Sequence, residues 1–246
     1  MPNDLVIITW LWGEKHYTEK DVLALRDGLA KRLMLPYRFV CITDFKRDLG
    51  DIEQIVMPNI QLVPNADQLT EKLGVACLRR IRLFDSAFTA QFKDATIVNV
   101  DLDVELRGNL DPLFEWLRSS DSFKIMRGVT PQNEYNGSIF ALRQGSHSRL
   151  WHSLNYTDYK AAIEKYVGSD QAWIRYCLFP EEVEIIEEHH GVYQARILMH
   201  LRRMVRNANI VFFAGKVKRR DKPAHRMLFR QLDHNIRHTP ETQNAP

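Results

Sequence analysis

Short apolar runs alternate with amphipathic stretches along the first hundred residues, a rhythm of strand and helix. Leu5-Val6-Ile7-Ile8-Thr9 is short and uninterrupted by charge, as in a strand buried on both faces of a parallel sheet. After Thr18 the period lengthens. Val22, Leu25, Leu29 and Leu33 fall on one helical face, Asp21 stands three residues after Thr18 in a capping-box relation, and Pro36 closes the helix. Phe39 to Thr43 predicts a second strand, and Asp51 to Pro58 contains a third, weaker one. Leu69 to Phe92 reads as mostly helical, and the largely apolar run Ala95 to Val100 as the next strand.

Beyond residue 100 the units shorten. The pattern predicts a helix over Leu113 to Arg118, strands over Phe123 to Arg127 and Ser138 to Leu142, helical segments between Ser146 and Val167, and a late strand over Ile210 to Phe213. Strands alternating with helices predict an α/β fold with a mainly parallel central sheet flanked by helices and a smaller, mixed second half. Ligands are expected at the carboxyl ends of the strands.

Composition narrows this frame. With 246 residues, 45% of them hydrophobic, the chain can bury one large domain or two small lobes. The expectation is one domain over 1–233 and a flexible tail over 234–246. No apolar stretch approaches the ~20 residues of a membrane span, and Met1-Pro2-Asn3-Asp4 lacks a basic, hydrophobic leader, so a cytoplasmic protein is expected. Cys41, Cys77 and Cys177 are odd in number and far apart; the first two lie in apolar patterns and read as buried free thiols.

The net charge of +3 hides an asymmetry. Residues 181–188 carry five glutamates, whereas Arg196 to Arg230 holds eleven Lys or Arg against the single acid Asp221. Such a stretch can face a diphosphate, an acidic glycan, a membrane surface or nucleic acid, or simply be a solvated positive face. Nucleic acid has the least support, because Phe212, Phe213 and Phe229 sit in apolar patterns rather than alternating with charges. Peripheral membrane contact through 196–230 stays open.

The candidate chemistry begins at Asp101-Leu102-Asp103, which ends the apolar run 95–100. In extended backbone both carboxylates would point the same way, roughly 7 Å apart. An all-oxygen pair at the end of a buried strand suits Mg²⁺ or Mn²⁺, hard ions that bridge to phosphates. By itself the triplet is weak in a chain with 26% charged residues. A solvated strand end would look the same.

The surrounding motifs strengthen it. Trp10-Leu11-Trp12-Gly13, Tyr17, Phe39 to Asp44, and Asp101-Leu102-Asp103 with Gly108-Asn109-Leu110-Asp111 resemble the first half of GT-A-fold glycosyltransferases related to family 8. Tyr135-Asn136-Gly137-Ser138-Ile139 and Gly168-Ser169-Asp170-Gln171-Ala172 resemble the second half, and the likeness runs over residues 5–220 in the expected order. The resemblance implies a single GT-A-type domain that moves a sugar from a nucleotide diphosphate sugar, UDP-linked by preference, to an unidentified glycan, lipid or protein acceptor. The reaction would use Mn²⁺ or Mg²⁺ held by Asp101 and Asp103. A catalytically degenerate nucleotide-sugar binder or interaction protein is the alternative.

It also implies roles for individual residues. The loop after the first strand would hold the base, with Trp10, Trp12, Gly13 and Tyr17 as lining or stacking groups, although both tryptophans could merely pack in the core. Arg79 and Arg82, three apart, would share the face of their helix that reaches the sugar or diphosphate, and Arg80 lies between them. Asn136 and Gly137 would meet the donor sugar. Asp170 would bind it too, and Gln171 would stand near the anomeric carbon, where a carboxamide suits a front-face retaining mechanism better than a double displacement. Asp170 could instead be a simple helix N-cap.

One segment departs from the family. Relatives carry His-Gly-x-x-Lys-Pro after the last strand, whereas this chain reads Ala214-Gly215-Lys216-Val217-Lys218-Arg219. Alanine cannot ligate a metal. Lys216 and Lys218, with Arg219 and Arg220, are expected to supply compensating charge to the diphosphate.

Overall fold

The computed structural model describes residues 4–13, 16–57, 76–179, 183–194 and 208–213. Strands β1 (Asp4–Leu11), β2 (Arg38–Thr43), β3 (Glu53–Val56), β4 (Ala95–Val100), β6 (Lys124–Thr130), β7 (Asn133–Arg143) and β8 (Glu184–Ile186) form one sheet in the order β3-β2-β1-β4-β7-β6-β8. Its β3, β2, β1 and β4 run parallel, and β7 is antiparallel to both β4 and β6. A second sheet joins β5 (Val104–Leu106), β10 (Ile210–Phe212) and β9 (Val192–Gln194). The expected mainly parallel α/β architecture is present; β8, β9 and the short β5 were not anticipated.

The continuous apolar runs are explained by burial on both faces. Val6 and Ile8 of β1 point into a core with Leu78, Ile81, Phe84 and Trp173, while Leu5 and Ile7 point into a second core with Val22, Leu25 and Leu29 of helix α1 (Glu19–Arg32). All six residues of β4 are buried. Each large aliphatic side chain so placed contributes about 1.5–3 kcal/mol, which holds the parallel strands in register. Helix α1 starts as expected, with the Thr18 N–H donating to the Asp21 carboxylate at 2.8 Å.

The described part of the stretch 69–92 is mostly helical, as expected, in the form of a 3₁₀ helix over Ala76–Phe84, then a single α-turn over Ser86–Thr89 and a 3₁₀ turn over Ala90–Phe92; residues 58–75 lie outside the described residues. Asp85 breaks the run, its carboxylate accepting the Ala87 N–H at 3.0 Å. Two expectations are corrected. First, β4 stops at Val100, so Asp101, Leu102 and Asp103 occupy a bend and the strand rule for their side chains does not apply. Second, Cys77 is exposed, Cys177 is half-buried and only Cys41 is buried; all three are free.

Candidate active site

Three parallel strands end side by side, at Thr43 of β2, Leu11 of β1 and Val100 of β4, and their exit loops line one edge of the sheet. The fourth side comes from β7, which runs the other way: Val100 pairs with Ile139, so Asn136, Gly137 and Ser138 stand beyond the end of β4. The Asp101 N–H donates to the Ser138 carbonyl at 2.9 Å, locking the Asp101 bend to β7. The helix Asp170–Leu178 then packs on β7 and brings its first residue to the same place.

Arg80 is the hub. Its Nη1 donates to Asp101 Oδ1 at 2.7 Å and to the Gly137 carbonyl at 2.6 Å, and its Nε lies 3.1 Å from Asp170 Oδ2. The arginine is 7% exposed and Asp170 1%, so this contact is made out of water. Asp170 Oδ2 makes no well-directed hydrogen bond among the described residues, which leaves a buried carboxylate under-satisfied. Burial and the nearby carboxylates of Asp103 and Asp170 push Asp101 up to about 7, against the pull of Arg80. Gly137 makes the triangle possible: a Cβ there would overlap the Asp170 carboxylate and crowd Arg80.

Asp170 is the first residue of its helix; Ser169 holds the N-cap position. The N-cap reading is therefore replaced: the Asp170 carboxylate faces Arg80, and any effect on a ligand passes through that arginine. Gln171 accepts the Gly137 N–H at 3.3 Å, and its amide lies 3.5 Å from the Val167 carbonyl. Asn136 accepts the Ser138 N–H at 2.8 Å, a local turn that aims the β7 entry. The Tyr17 hydroxyl hydrogen-bonds the Asp103 carboxylate, and burial first, then the two aspartates, raise its pKa.

On the β1–β2 side, Gly13 adopts φ +66, a conformation glycine favours, and its N–H donates to Asp44 Oδ2 at 2.7 Å. Arg47, 5% exposed, donates to Asp44, Glu19 and the Gly13 carbonyl, so one buried guanidinium fastens the loops after β1 and β2 to the start of α1. Trp10 is pinned by Nε1 donating to Asn99 Oδ1 at 3.0 Å. Trp12 carries the Arg79 guanidinium 4.2 Å above its ring. Arg82 is engaged elsewhere, 3.4 Å from Asp85 and 4.5 Å above Trp151.

The structure thus gathers Trp12, Gly13, Tyr17, Arg79, Asp101, Asp103, Asn136, Gly137, Asp170 and Gln171 along one edge. Lys216, Lys218 and their basic neighbours lie outside the described residues. Phe213, just before that segment, donates its N–H to the Asp103 carbonyl at 2.9 Å. Sequence reasoning passed over Arg80 because it paired Arg79 with Arg82 on an α-helical period. Leu78, Ile81 and Phe84, all buried, repeat every three residues, the period of a 3₁₀ helix, which sets Arg80 on another line from Arg79 and Arg82.

Among the described residues no third His, Cys, Asp or Glu joins Asp101 and Asp103 as a metal cluster. The charge still fits a cation: Asp101 and Asp170 share one guanidinium, Asp103 lies close to Asp101, and burial first, then the neighbouring carboxylates, raise the Asp101 pKa. The donor set is all oxygen, as Mg²⁺ and Mn²⁺ require.

No family model matches the sequence, and no curated protein matches it. Among solved structures the chain is similar to the galactosyltransferase LgtC, crystallised in complex with donor and acceptor sugar analogues, with a TM-score of 0.58, 15% identity, and 96% of this chain and 98% of that one covered. A likeness of that extent at that identity shows the fold, and the expected GT-A-type α/β fold is the one this chain adopts.

Proposed function

We propose that this chain is a glycosyltransferase that takes a nucleotide diphosphate sugar at the carboxyl edge of β2, β1 and β4. The observation that carries this reading is the Asp101–Arg80–Asp170 triangle closed over Gly137, a buried, under-neutralised carboxylate cluster where the strands open to a ligand. LgtC, which shares the fold, was solved with donor and acceptor sugar analogues, and that supports a donor and a sugar-like acceptor here. UDP is the favoured nucleotide by resemblance.

A divalent ion bound by Asp101 and Asp103 would supply charge to the leaving diphosphate. The chain's own residues do the rest. Arg80 holds Asp101 in place and presents the remaining edge of its guanidinium to donor oxygens, while Asp170 orients Arg80 from beneath. Gln171 fixes Gly137 and the Val167 turn, shaping the wall beside the reacting carbon. No well-placed carboxylate base for inversion stands out among the described residues, and Gln171 occupies the position matched to retaining relatives, where a carboxamide suits front-face transfer better than a double displacement; the product is therefore expected to keep the donor's anomeric configuration, which NMR of the first-formed glycoside would check.

The test is a thermal-stabilisation screen of nucleotide sugars with and without Mn²⁺, followed by transfer assays with the best donor. A ligand that binds only the native state raises apparent stability by about 2.7 kcal/mol at a hundredfold excess over its Kd. Stabilisation by no nucleotide sugar in either condition would reject the reading. Stabilisation without transfer to any acceptor, or to water, would favour the non-catalytic binder.

A further inference from the structure

A second concavity lies away from the strand edge. It has a volume of about 460 Å³ and opens between the helix Asp111–Leu117, the 3₁₀ turn Glu188–His190 and the residue before β10. Pro112 and Leu113 give it an apolar wall, and Glu188, His190, Tyr193 and Asn209 give it polar groups. Along β10, Phe213 marks the end beside Asp103 and Asn209 the opposite end, roughly 13 Å away at the rise of a strand. The cavity is therefore distinct from the candidate active site.

Its frame is fixed by backbone bonds. The Gly191 carbonyl accepts the Asn209 N–H at 2.8 Å and the Ile210 N–H at 3.0 Å, while the Gly191 N–H, in a residue at φ +77, donates to the Glu188 carbonyl at 2.8 Å. The polar side chains, by contrast, are left without partners. Tyr193 is 4% exposed, yet its hydroxyl makes no hydrogen bond among the described residues, and neither does the Glu188 carboxylate or the Asn209 amide. His190 Nδ1 accepts the Glu187 N–H at 3.1 Å, which leaves the ring proton on Nε2 as a donor. The ring is stacked against Trp116 and His189, with centroids 3.9 and 3.8 Å away, so its edge is held in one orientation.

These groups select a ligand by charge and by hydrogen bonding. No Lys or Arg is among the described residues that line the cavity, and burial, then His189, hold the His190 pKa below its ordinary value. At pH 7 the wall thus carries the Glu188 charge with no fixed cation against it, which disfavours phosphates and nucleotides. A carboxylate accepts, the Nε2–H donates, and a phenol and an amide do both. Their complement is a neutral molecule with several hydroxyls and a C–H face to lie on Pro112 and Leu113. The volume is within the range of roughly 300–1,000 Å³ usual for small-molecule sites.

We propose that this cavity is a second, non-catalytic carbohydrate site, holding one neutral hexose unit of a glycan through hydrogen bonds to Tyr193 and Glu188. It stands apart from the donor-site reading and needs neither a metal nor the basic segment 216–220. Because its groups are already in place, little order is lost when the sugar arrives.

NMR titration of the full chain tests this, with lactose, maltose and cellobiose as probes and inorganic phosphate as the anion. Wild type should bind at least one disaccharide with a millimolar Kd, and the ring signals that shift should be those of Trp116 and His190 rather than of Trp10 and Trp12. Tyr193→Phe and Glu188→Gln should each weaken that sugar about threefold to tenfold, the effect of one lost hydrogen bond. Tyr193→Phe should also leave the urea midpoint unchanged, since the hydroxyl has no internal partner to lose; a lower midpoint would show that it has one and overturn the assignment. If Glu188→Gln does not fold, Tyr193→Phe decides alone. Binding of none of the three sugars, shifts confined to Trp10 and Trp12, or phosphate binding that Tyr193→Phe weakens would each overturn the proposal. Failure of every nucleotide sugar to bind would remove the donor-site reading and leave this cavity standing.

Discussion

Among the buried cations of this fold, Arg80 and Lys124 have opposite surroundings. Arg80 faces more negative charge than it can neutralise, with Asp101 and Asp170 in contact and Asp103 close behind. Lys124, 0% exposed on β6, faces a balanced set: its Nζ donates to Ser120 Oγ at 2.6 Å and Ser122 Oγ at 3.2 Å, lies 3.5 Å from the Glu184 carboxylate, and sits 5.4 Å from the Trp116 ring. Burial lowers the Lys124 pKa and Glu184 pulls it back. A buried charge with its partners complete ties β6 to β8. A buried cluster with charge left over at an open strand edge is unfinished without a ligand, and that imbalance marks a site rather than a joint.

The sharpest way to break this comparison is through activity. Asp103→Ala should lower transfer about a hundredfold or more, since it removes one of the two carboxylates proposed to meet the ligand, while costing only about 0.5–1.5 kcal/mol of stability for the lost Tyr17 hydrogen bond, because the residue lies outside β4. Steady-state kinetics beside thermal denaturation checks both halves; unchanged turnover would place the site elsewhere.

Stability separates the two cations next. Arg80→Ala strands the buried Asp170 and should cost about 3–5 kcal/mol in urea unfolding. Lys124→Met, of similar length, should cost about 1 kcal/mol or less, because the Glu184 left behind is 40% exposed and can be hydrated. Similar costs for the two would erase the distinction between an over-charged site and a balanced joint. Gly137→Ala comes next: the new methyl meets the Asp170 carboxylate and should destabilise by about 1–3 kcal/mol, with weaker donor binding.

The smallest effect is a pH dependence on the structural side. His190 stacks on Trp116 at 3.9 Å and on His189 at 3.8 Å, and its Nδ1 accepts the Glu187 N–H. Burial and then His189 lower its pKa, although Glu187 and Glu184 oppose them. A histidine held below its ordinary value of 6.5 is bound more readily by protons in the unfolded chain. Its contribution is therefore present above that pH and lost as the pH falls through it. His190→Gln should flatten the fall in stability between pH 7 and pH 5, measured by urea midpoints; an unaltered slope would assign it to other groups.

Much of the frame was legible because it follows local rules. Leu5 to Ile8 and Ala95 to Val100 read as strands covered on both faces, since short runs free of charged residues suit neither a half-exposed strand nor an amphipathic helix. The α1 boundaries followed from Thr18, Asp21 and Pro36. The short β8 and β9 left no such signal, because three-residue strands have too little pattern to distinguish from loops. In the site, the carboxylates and Gly137 were found by their spacing in motifs, whereas Arg80, Arg47 and the Tyr17–Asp103 hydrogen bond were not, because each depends on partners far away in sequence.

By itself the sequence determined the α/β alternation, the edge at which ligands meet the sheet, and which residue types stand there, because hydrophobic period and turn chemistry act over a few residues. Only the tertiary structure decided which of three neighbouring arginines enters the carboxylate cluster, which one stacks on Trp12, and that burial and neighbouring carboxylates raise the Asp101 pKa. Those outcomes depend on charges brought together from strand ends dozens of residues apart. Electrostatic energy follows distance and burial in space, and neither can be read along the chain.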